Sequence, residues 1–154
     1  MDCLNCGTGM SGAREVVPYD VGLPYEIRLD DVLVHRCPSC GEFEIAIPRV
    51  EALHRAIALE VARRPGRLSG LEIRFLRKSL GWTGREAAAH LQVRPETLSR
   101  WETGARPMGE QSELLLRMSV ELGERAETYR LESDTQPPPV LSMARGDKGW
   151  GSAA

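Results

Sequence analysis

Two short motifs, Cys3-Leu4-Asn5-Cys6-Gly7 and Cys37-Pro38-Ser39-Cys40-Gly41, hold all four cysteines of the chain. In a Cys-x-x-Cys knuckle both sulfurs can approach one ion while the intervening N–H groups point at them. The glycine after the second cysteine tolerates the positive φ that such a turn often needs. Two knuckles supply four thiolates, a closed tetrahedral set for one structural Zn²⁺ at ~2.3 Å. The 30 residues between Cys6 and Cys37 leave room for a small sheet that the ion would staple. Iron in the same four-sulfur geometry, a thiol redox pair and disulfides remain as alternatives. A catalytic zinc is not expected, because four cysteines leave no open position. His35, two residues before Cys37, is read as a strand histidine rather than a ligand, and His54 and His90 fall in helix patterns. No Ser/His/Asp or Cys/His arrangement is suggested, so no catalytic residues are assigned and the chain is not expected to be an enzyme.

A second constellation lies between Gly81 and Gly104. Thr83-Gly84-Arg85-Glu86 is a capping box that opens a short helix from Arg85 to Leu91. Gln92-Val93-Arg94 makes a tight turn, and Pro95 starts a second helix that runs through Trp101 to about Thr103. This is the layout of a helix-turn-helix. Ala87, Ala88 and Ala89 are small enough for close helix crossing. Leu91, Val93, Leu98 and Trp101 fall where the second helix packs onto the first.

The outward positions are then Pro95, Glu96, Ser99, Arg100 and Thr103, and that face meets base edges in a major groove. Arg100 is the main base reader, because a guanidinium can donate a bidentate pair to guanine O6 and N7. Glu96 either accepts from cytosine N4 or serves only as an acid at a helix N-terminus. Thr97 and Ser99 can offer hydroxyls to base or phosphate. Arg85, Arg94 and Arg106 are candidate phosphate contacts. Glu102 is expected to pair with Arg74 or Arg77 rather than to touch DNA.

The elements that position these residues follow from periodicity. Glu15 to Val17, Tyr25 to Leu29 and Val32 to His35 read as short strands, with Asp30-Asp31 as the bend between the last two. A helix follows, with Pro48 in its first turn and Val50, Leu53, Ile57 and Val61 on one face; Pro65-Gly66 ends it and marks the junction between two units. Leu71, Phe75, Leu76 and Leu80 mark the apolar face of the next helix. Glu110 to Leu122 is a further helix, and a short one can continue to about Leu131. Its Leu114-Leu115-Leu116 run, with Met118 and Leu122, offers more apolar surface than one helix face needs, and points to dimerisation.

Charge separates the same regions. Residues 1–66 carry 7 basic against 10 acidic residues, residues 67–119 carry 9 against 6, and residues 120–154 carry 4 against 6. Only the middle block is basic, and its net +3 is modest, so a monomer would bind DNA weakly and a two-fold dimer would double the contacts. No run of ~18–20 apolar residues is present, which excludes a membrane-spanning helix. Met1-Asp2-Cys3 lacks a signal pattern, so a cytoplasmic location is expected, nucleoid-associated when DNA is bound. Aromatic residues make up 5% of the chain, which argues against a deep aromatic-lined pocket.

The Leu98-Ser99-Arg100-Trp101-Glu102-Thr103-Gly104 stretch resembles the recognition helix of the Xre/Cro family of DNA-binding domains. Joined behind the two knuckles, it resembles the MqsA-type antitoxins with their YgiT-type zinc finger. The resemblance covers roughly residues 1–122. It implies that the zinc is structural and held at Cys3, Cys6, Cys37 and Cys40. It further implies that the zinc domain neutralises a ribonuclease toxin, and that the helix-turn-helix domain dimerises and represses its own operon. Base contacts in the family come from an Asn and an Arg. Arg100 matches the Arg, and Glu96 stands where the family has Asn.

The expected fold is α+β: a zinc-knuckle β domain over 1–47, a helix and linker over 48–66, an Xre/Cro-type helix-turn-helix domain of four to five helices over 67–131, and a disordered tail over 132–154. The expected partners are operator DNA, a second copy of the chain and a toxin protein. The alternatives are a stand-alone Xre-family regulator and a rubredoxin-like iron or thiol redox protein.

Overall fold

The computed structural model describes residues 1–123, 140 and 142–152. It is α+β, a small antiparallel sheet followed by five helices. The sheet has the order β1-β2-β3, formed by Ser11–Tyr19, Ile27–Arg36 and Phe43–Ala46. β1 pairs only with β2, and this edge position is where Pro18, which has no N–H to donate, is tolerated in a strand.

Asp30-Asp31 does not separate two strands as expected. Glu15 pairs with Val32 and Val17 with Leu29, so β2 carries one extra residue there and continues through a bulge. Asp31 adopts φ +59°, and Arg14 Nη1 donates to its carbonyl at 2.8 Å and to its carboxylate at 3.0 Å. The strand expected from Tyr25 begins at Ile27, and β3 had no expectation attached.

The helices are α1 (Val50–Arg63), α2 (Gly70–Ser79), α3 (Gly84–His90), α4 (Pro95–Glu102) and α5 (Glu110–Leu122). Their shared core is built from Ala58 and Val61 of α1, Ile73 and Leu76 of α2, Leu98 and Trp101 of α4, and Leu116 and Val120 of α5. The apolar face of α2 is the expected one at Phe75, Leu76 and Leu80, but Leu71 gives way to Ile73. Ile73 and Leu76 are buried, Phe75 and Leu80 are partly buried, and Leu71 is 45% exposed. The cause is a capping box: Glu72 folds back onto the Ser69 N–H while the Ser69 side chain accepts from the Glu72 N–H. That holds Glu72 inward and brings Ile73 and Leu76 in with it.

Pro65-Gly66 ends α1 as expected, yet packing does not break there. Arg117 of α5 donates to the carbonyls of Ala62, Arg64 and Gly66, and Arg67 reaches Glu113. α1 is therefore part of the helical body, and the segment after it is clamped.

In the region expected to be disordered, Met143–Gly146 (β4) and Gly149–Ser152 (β5) form an antiparallel hairpin. Its two-residue turn, Asp147-Lys148, is followed by Gly149 at φ +109°, a conformation that glycine adopts without a side-chain penalty. Residues 124–139, 141, 153 and 154, which take in the helix expected up to Leu131, lie outside the described residues.

Candidate metal centre and nucleic-acid interface

The two knuckles have the same backbone design. Cys3 N–H donates to the Thr8 carbonyl and Gly7 N–H to the Cys3 carbonyl; Cys37 N–H donates to the Glu42 carbonyl and Gly41 N–H to the Cys37 carbonyl. Gly7 and Gly41 sit at φ +70° and +75°, as the Cys-x-x-Cys-Gly pattern required.

The two loops meet at one end of the β1–β2 ribbon. Cys3 Sγ lies 3.5 Å from Cys40 Sγ, Cys6 Sγ lies 3.4 Å from Cys37 Sγ, and all four sulfurs lie within 4.8 Å of one another. A tetrahedron with arms of ~2.3 Å has edges of about 3.8 Å, so the cluster has the dimensions of a four-sulfur metal site. Cys3 and Cys37 are buried, and Cys6 and Cys40 face solvent.

Four thiols this close do not ionise alike. The Thr8 hydroxyl and N–H beside Cys6 bring that thiol down to about 6. At Cys3 the N–H groups of Cys6 and Asn5 pull the thiol down, but burial and the neighbouring thiols push it up to about 11. A divalent cation offsets the repulsion among thiolates, so the donor set suits one. The four cysteines can hold a metal ion, and they fill a tetrahedral shell without leaving a position for substrate. His35 is not among them; it lies in β2 opposite Gly12, where its ring comes within 3.0 Å of where a Gly12 Cβ would stand.

α3 opens at Thr83, whose side chain accepts from the Glu86 N–H while Glu86 accepts from the Thr83 N–H, as the sequence predicted. It ends in a Schellman turn: Gln92 N–H donates to the Ala89 carbonyl and Val93 N–H to that of Ala88. Gln92 occupies the left-handed position at φ +53°, where glycine is the usual residue. The turn sets α4 across α3, and Ala87 and Ala88, at 0% and 1% exposure, permit the close crossing. Ala89, expected to share that contact, is exposed. Leu91, Leu98 and Trp101 are buried and Val93 is partly buried, as expected.

Residues 73–118 match the Helix-turn-helix family. The chain thus carries an Xre-type helix-turn-helix domain behind an N-terminal four-cysteine cluster. No curated protein matches the chain.

On the helix-turn-helix domain, Pro95, Glu96, Ser99, Arg100 and Thr103 are exposed along α4, and Thr97 is partly buried. Arg94 is the N-cap of α4, and no side chain caps that end. Arg85 is exposed in the first turn of α3. Arg106 is exposed in the segment after α4, with its N–H on the Arg100 carbonyl at 3.2 Å. Glu96 lies in the first turn of α4, where it favours the helix dipole.

The ion pairs separate two classes of arginine. Arg77 and Arg74 take Glu102, as its position predicted; Arg64 takes Glu72; Arg67 and Arg117 take Glu113. Among the described residues, Arg85, Arg94, Arg100 and Arg106 make no ion pair. The arginines of α2, of α5 and of the segment between α1 and α2 are paired, whether part-buried (Arg77, Arg117) or exposed (Arg67, Arg74). Among the described residues the four around α4, like the exposed Lys78 of α2, are left for a ligand. The match and this surface together support DNA binding.

The sequence reading missed the supporting residue Glu72. Its signal was present as Ser69-Gly70-Leu71-Glu72, a second capping box of the kind recognised at Thr83. Among the described residues, no helix is long and apolar enough to cross a membrane.

Proposed function

We propose that this chain is a zinc-containing, dimeric, sequence-specific repressor, a regulator rather than an enzyme. We further propose that it acts in the cytoplasm as the antitoxin of a ribonuclease toxin and controls the operon encoding both. The observation that carries the DNA-binding part is the set of four exposed arginines without ion pairs around α4. In this reading Arg100 reads guanine and Arg85, Arg94 and Arg106 hold phosphates, which their exposure supports. Glu96 offers an acceptor to cytosine N4 from the first turn of the same helix.

Support for a dimer comes from α5, where Leu114, Leu115, Met118 and Leu122 remain 43–60% exposed. Support for zinc comes from the sulfur-to-sulfur distances and the closed four-thiolate set. The net acidic 1–66 block suits a basic partner such as a ribonuclease.

The decisive experiment titrates the protein against the duplex upstream of its own reading frame and against random duplex, across a salt series. A repressor binds the first more tightly, and its affinity falls steeply as salt rises. Equal affinity for both would sink the repressor reading. Capture of the product of the adjacent reading frame tests the antitoxin part separately. If that product neither binds nor is neutralised, the stand-alone regulator remains. Metal analysis of the purified protein separates zinc from a red, redox-active iron centre.

A further inference from the structure

The sheet and the helices each pack mainly on themselves, and the segment between β1 and β2 reaches from one to the other. Tyr19, the last residue of β1, places its hydroxyl 2.7 Å from His54 Nε2 on α1. Leu23 packs against the helical core. Tyr25 donates its hydroxyl to Glu72 Oε1 on α2 at 3.0 Å. The four-cysteine cluster lies at the other end of the ribbon, since Ser11 pairs with Arg36 beside Cys37 while Tyr19 pairs with Ile27. At ~3.4 Å per residue the two ends stand about 27 Å apart. The sheet unit is therefore a lever, with the cluster at its tip and the Tyr19–Tyr25 segment at its foot.

The foot rests on an unusual carboxylate. Glu72 is fully buried and accepts from Tyr25, from Arg64 through Nε and Nη2, and from the Ser69 N–H at 2.7 Å. Burial alone would push its carboxyl up, but Arg64, Ser69 and Tyr25 together hold it at about 2. Burial and the neighbouring carboxylate push the Tyr25 phenol up to about 12, so it stays a donor at any ordinary pH. Glu72 also caps α2, and α2 abuts the last turn of α4 at Gly70. The side chain that receives the foot of the lever thus organises the start of the helix that supports α4.

We propose that the Tyr25–Glu72 hydrogen bond is a latch that fixes the orientation of the four-cysteine unit on the helix-turn-helix body. Its donor side is the weaker one, because Tyr25 holds Glu72 through a single hydrogen bond and its ring is 44% exposed. Its acceptor side is built to survive release, because Glu72 keeps Arg64 and Ser69. Once freed, the sheet unit pivots at the connection between β3 and α1, where Arg49 sits at φ +51°. The latch goes beyond the DNA-binding reading, and its test needs no DNA.

The test compares the full-length protein, as purified with its metal, with Tyr25→Phe and Tyr25→Ala by ¹⁵N relaxation and residual dipolar couplings. In the native protein, residues 11–36 and 70–120 share one rotational correlation time. Tyr25→Phe removes only the hydroxyl, and the released population rises roughly 10- to 100-fold, as for loss of a hydrogen bond to a charged group. With the Tyr19–His54 and Leu23 contacts still in place, the released population reads as residual dipolar couplings of residues 11–36 scaled down relative to those of residues 70–120, while the helical amides keep their dispersion. The proposal is overturned if Tyr25→Phe leaves the shared correlation time and the couplings unchanged. It is equally overturned if only Tyr25→Ala frees the unit, because ring packing would then be what holds it.

Discussion

Arg77 on α2 and Glu102 on α4 form a two-pronged ion pair, with Nη2–Oε2 at 3.2 Å and side chains only 12% and 8% exposed. Arg77 also donates to the Trp82 carbonyl at 2.9 Å, so one guanidinium ties α4 to the turn that precedes α3. The two helices close again at Gly70, where an added methyl group would fall 2.8 Å from the Trp101 carbonyl oxygen and closer still to that of Glu102. Glu102→Ala leaves the largely buried Arg77 guanidinium with the Trp82 carbonyl but no counter-charge, and is expected to cost about 3–5 kcal/mol. Gly70→Ala forces α2 and α4 apart and is expected to cost about 1–3 kcal/mol. Urea titrations measure both, and a loss below 0.5 kcal/mol in either, on the order of an ordinary surface change, would remove that contact from the account.

Arg100 and Arg94 should fail differently when truncated. Arg100→Ala is expected to lose about 1–3 kcal/mol on a specific duplex and to relax preference at one base pair. Arg94→Ala is expected to weaken every duplex alike and to reduce the salt slope by about one. Neither side chain makes an ion pair among the described residues, so melting temperatures should hold. Parallel titrations on specific and random duplex decide the roles; equal loss on both makes Arg100 a phosphate contact.

Acid should loosen the helical body through its buried glutamates. Glu72 is held at about 2 when folded, against 4.5 when free, and Glu113 is also lowered despite burial, by Arg67 and Arg117. The folded state binds these protons less tightly than the unfolded one. The stabilisation from Glu72 is therefore present above about pH 4.5 and is lost as pH falls towards 2, and that from Glu113 is likewise lost as pH falls below 4.5. The Glu72 shift corresponds to about 3 kcal/mol. Glu72→Gln should be less stable at pH 7 and should flatten stability between pH 4.5 and 2; an unaltered slope there would mean that other carboxylates carry the acid response.

What the sequence revealed depended on how local the signal was. The knuckles, the Thr83–Glu86 box, Pro95 and α5 are set by residues within a turn of one another, and each stands where spacing put it. The exposed face of α4 followed from Leu98 and Trp101 facing inward. Long-range pairing was not legible in the same way. β3 is four residues long and acquires its identity only from β2, and the bulge at Asp31 exists because β1 and β2 differ by one residue in step. The inward position of Glu72 needed Arg64 and Tyr25, from separate parts of the chain, to converge on it.

The sheet unit has little to hold it besides its cluster. In residues 1–46 the buried side chains are Cys3, Val17, Val34 and Cys37, so two of the four are themselves metal ligands. Two valines cannot offset the conformational entropy of ordering about forty residues. The helical body has an independent core from Ala58 to Val120. A chelator, or Cys37→Ser, is therefore expected to collapse the amide dispersion of residues 11–46 and leave α1 to α5 folded. Retained dispersion in β1 and β2 after verified metal loss would show that strand pairing suffices. Loss of both units together would instead mean that the segment from Tyr19 to Tyr25 couples them strongly enough to melt as one.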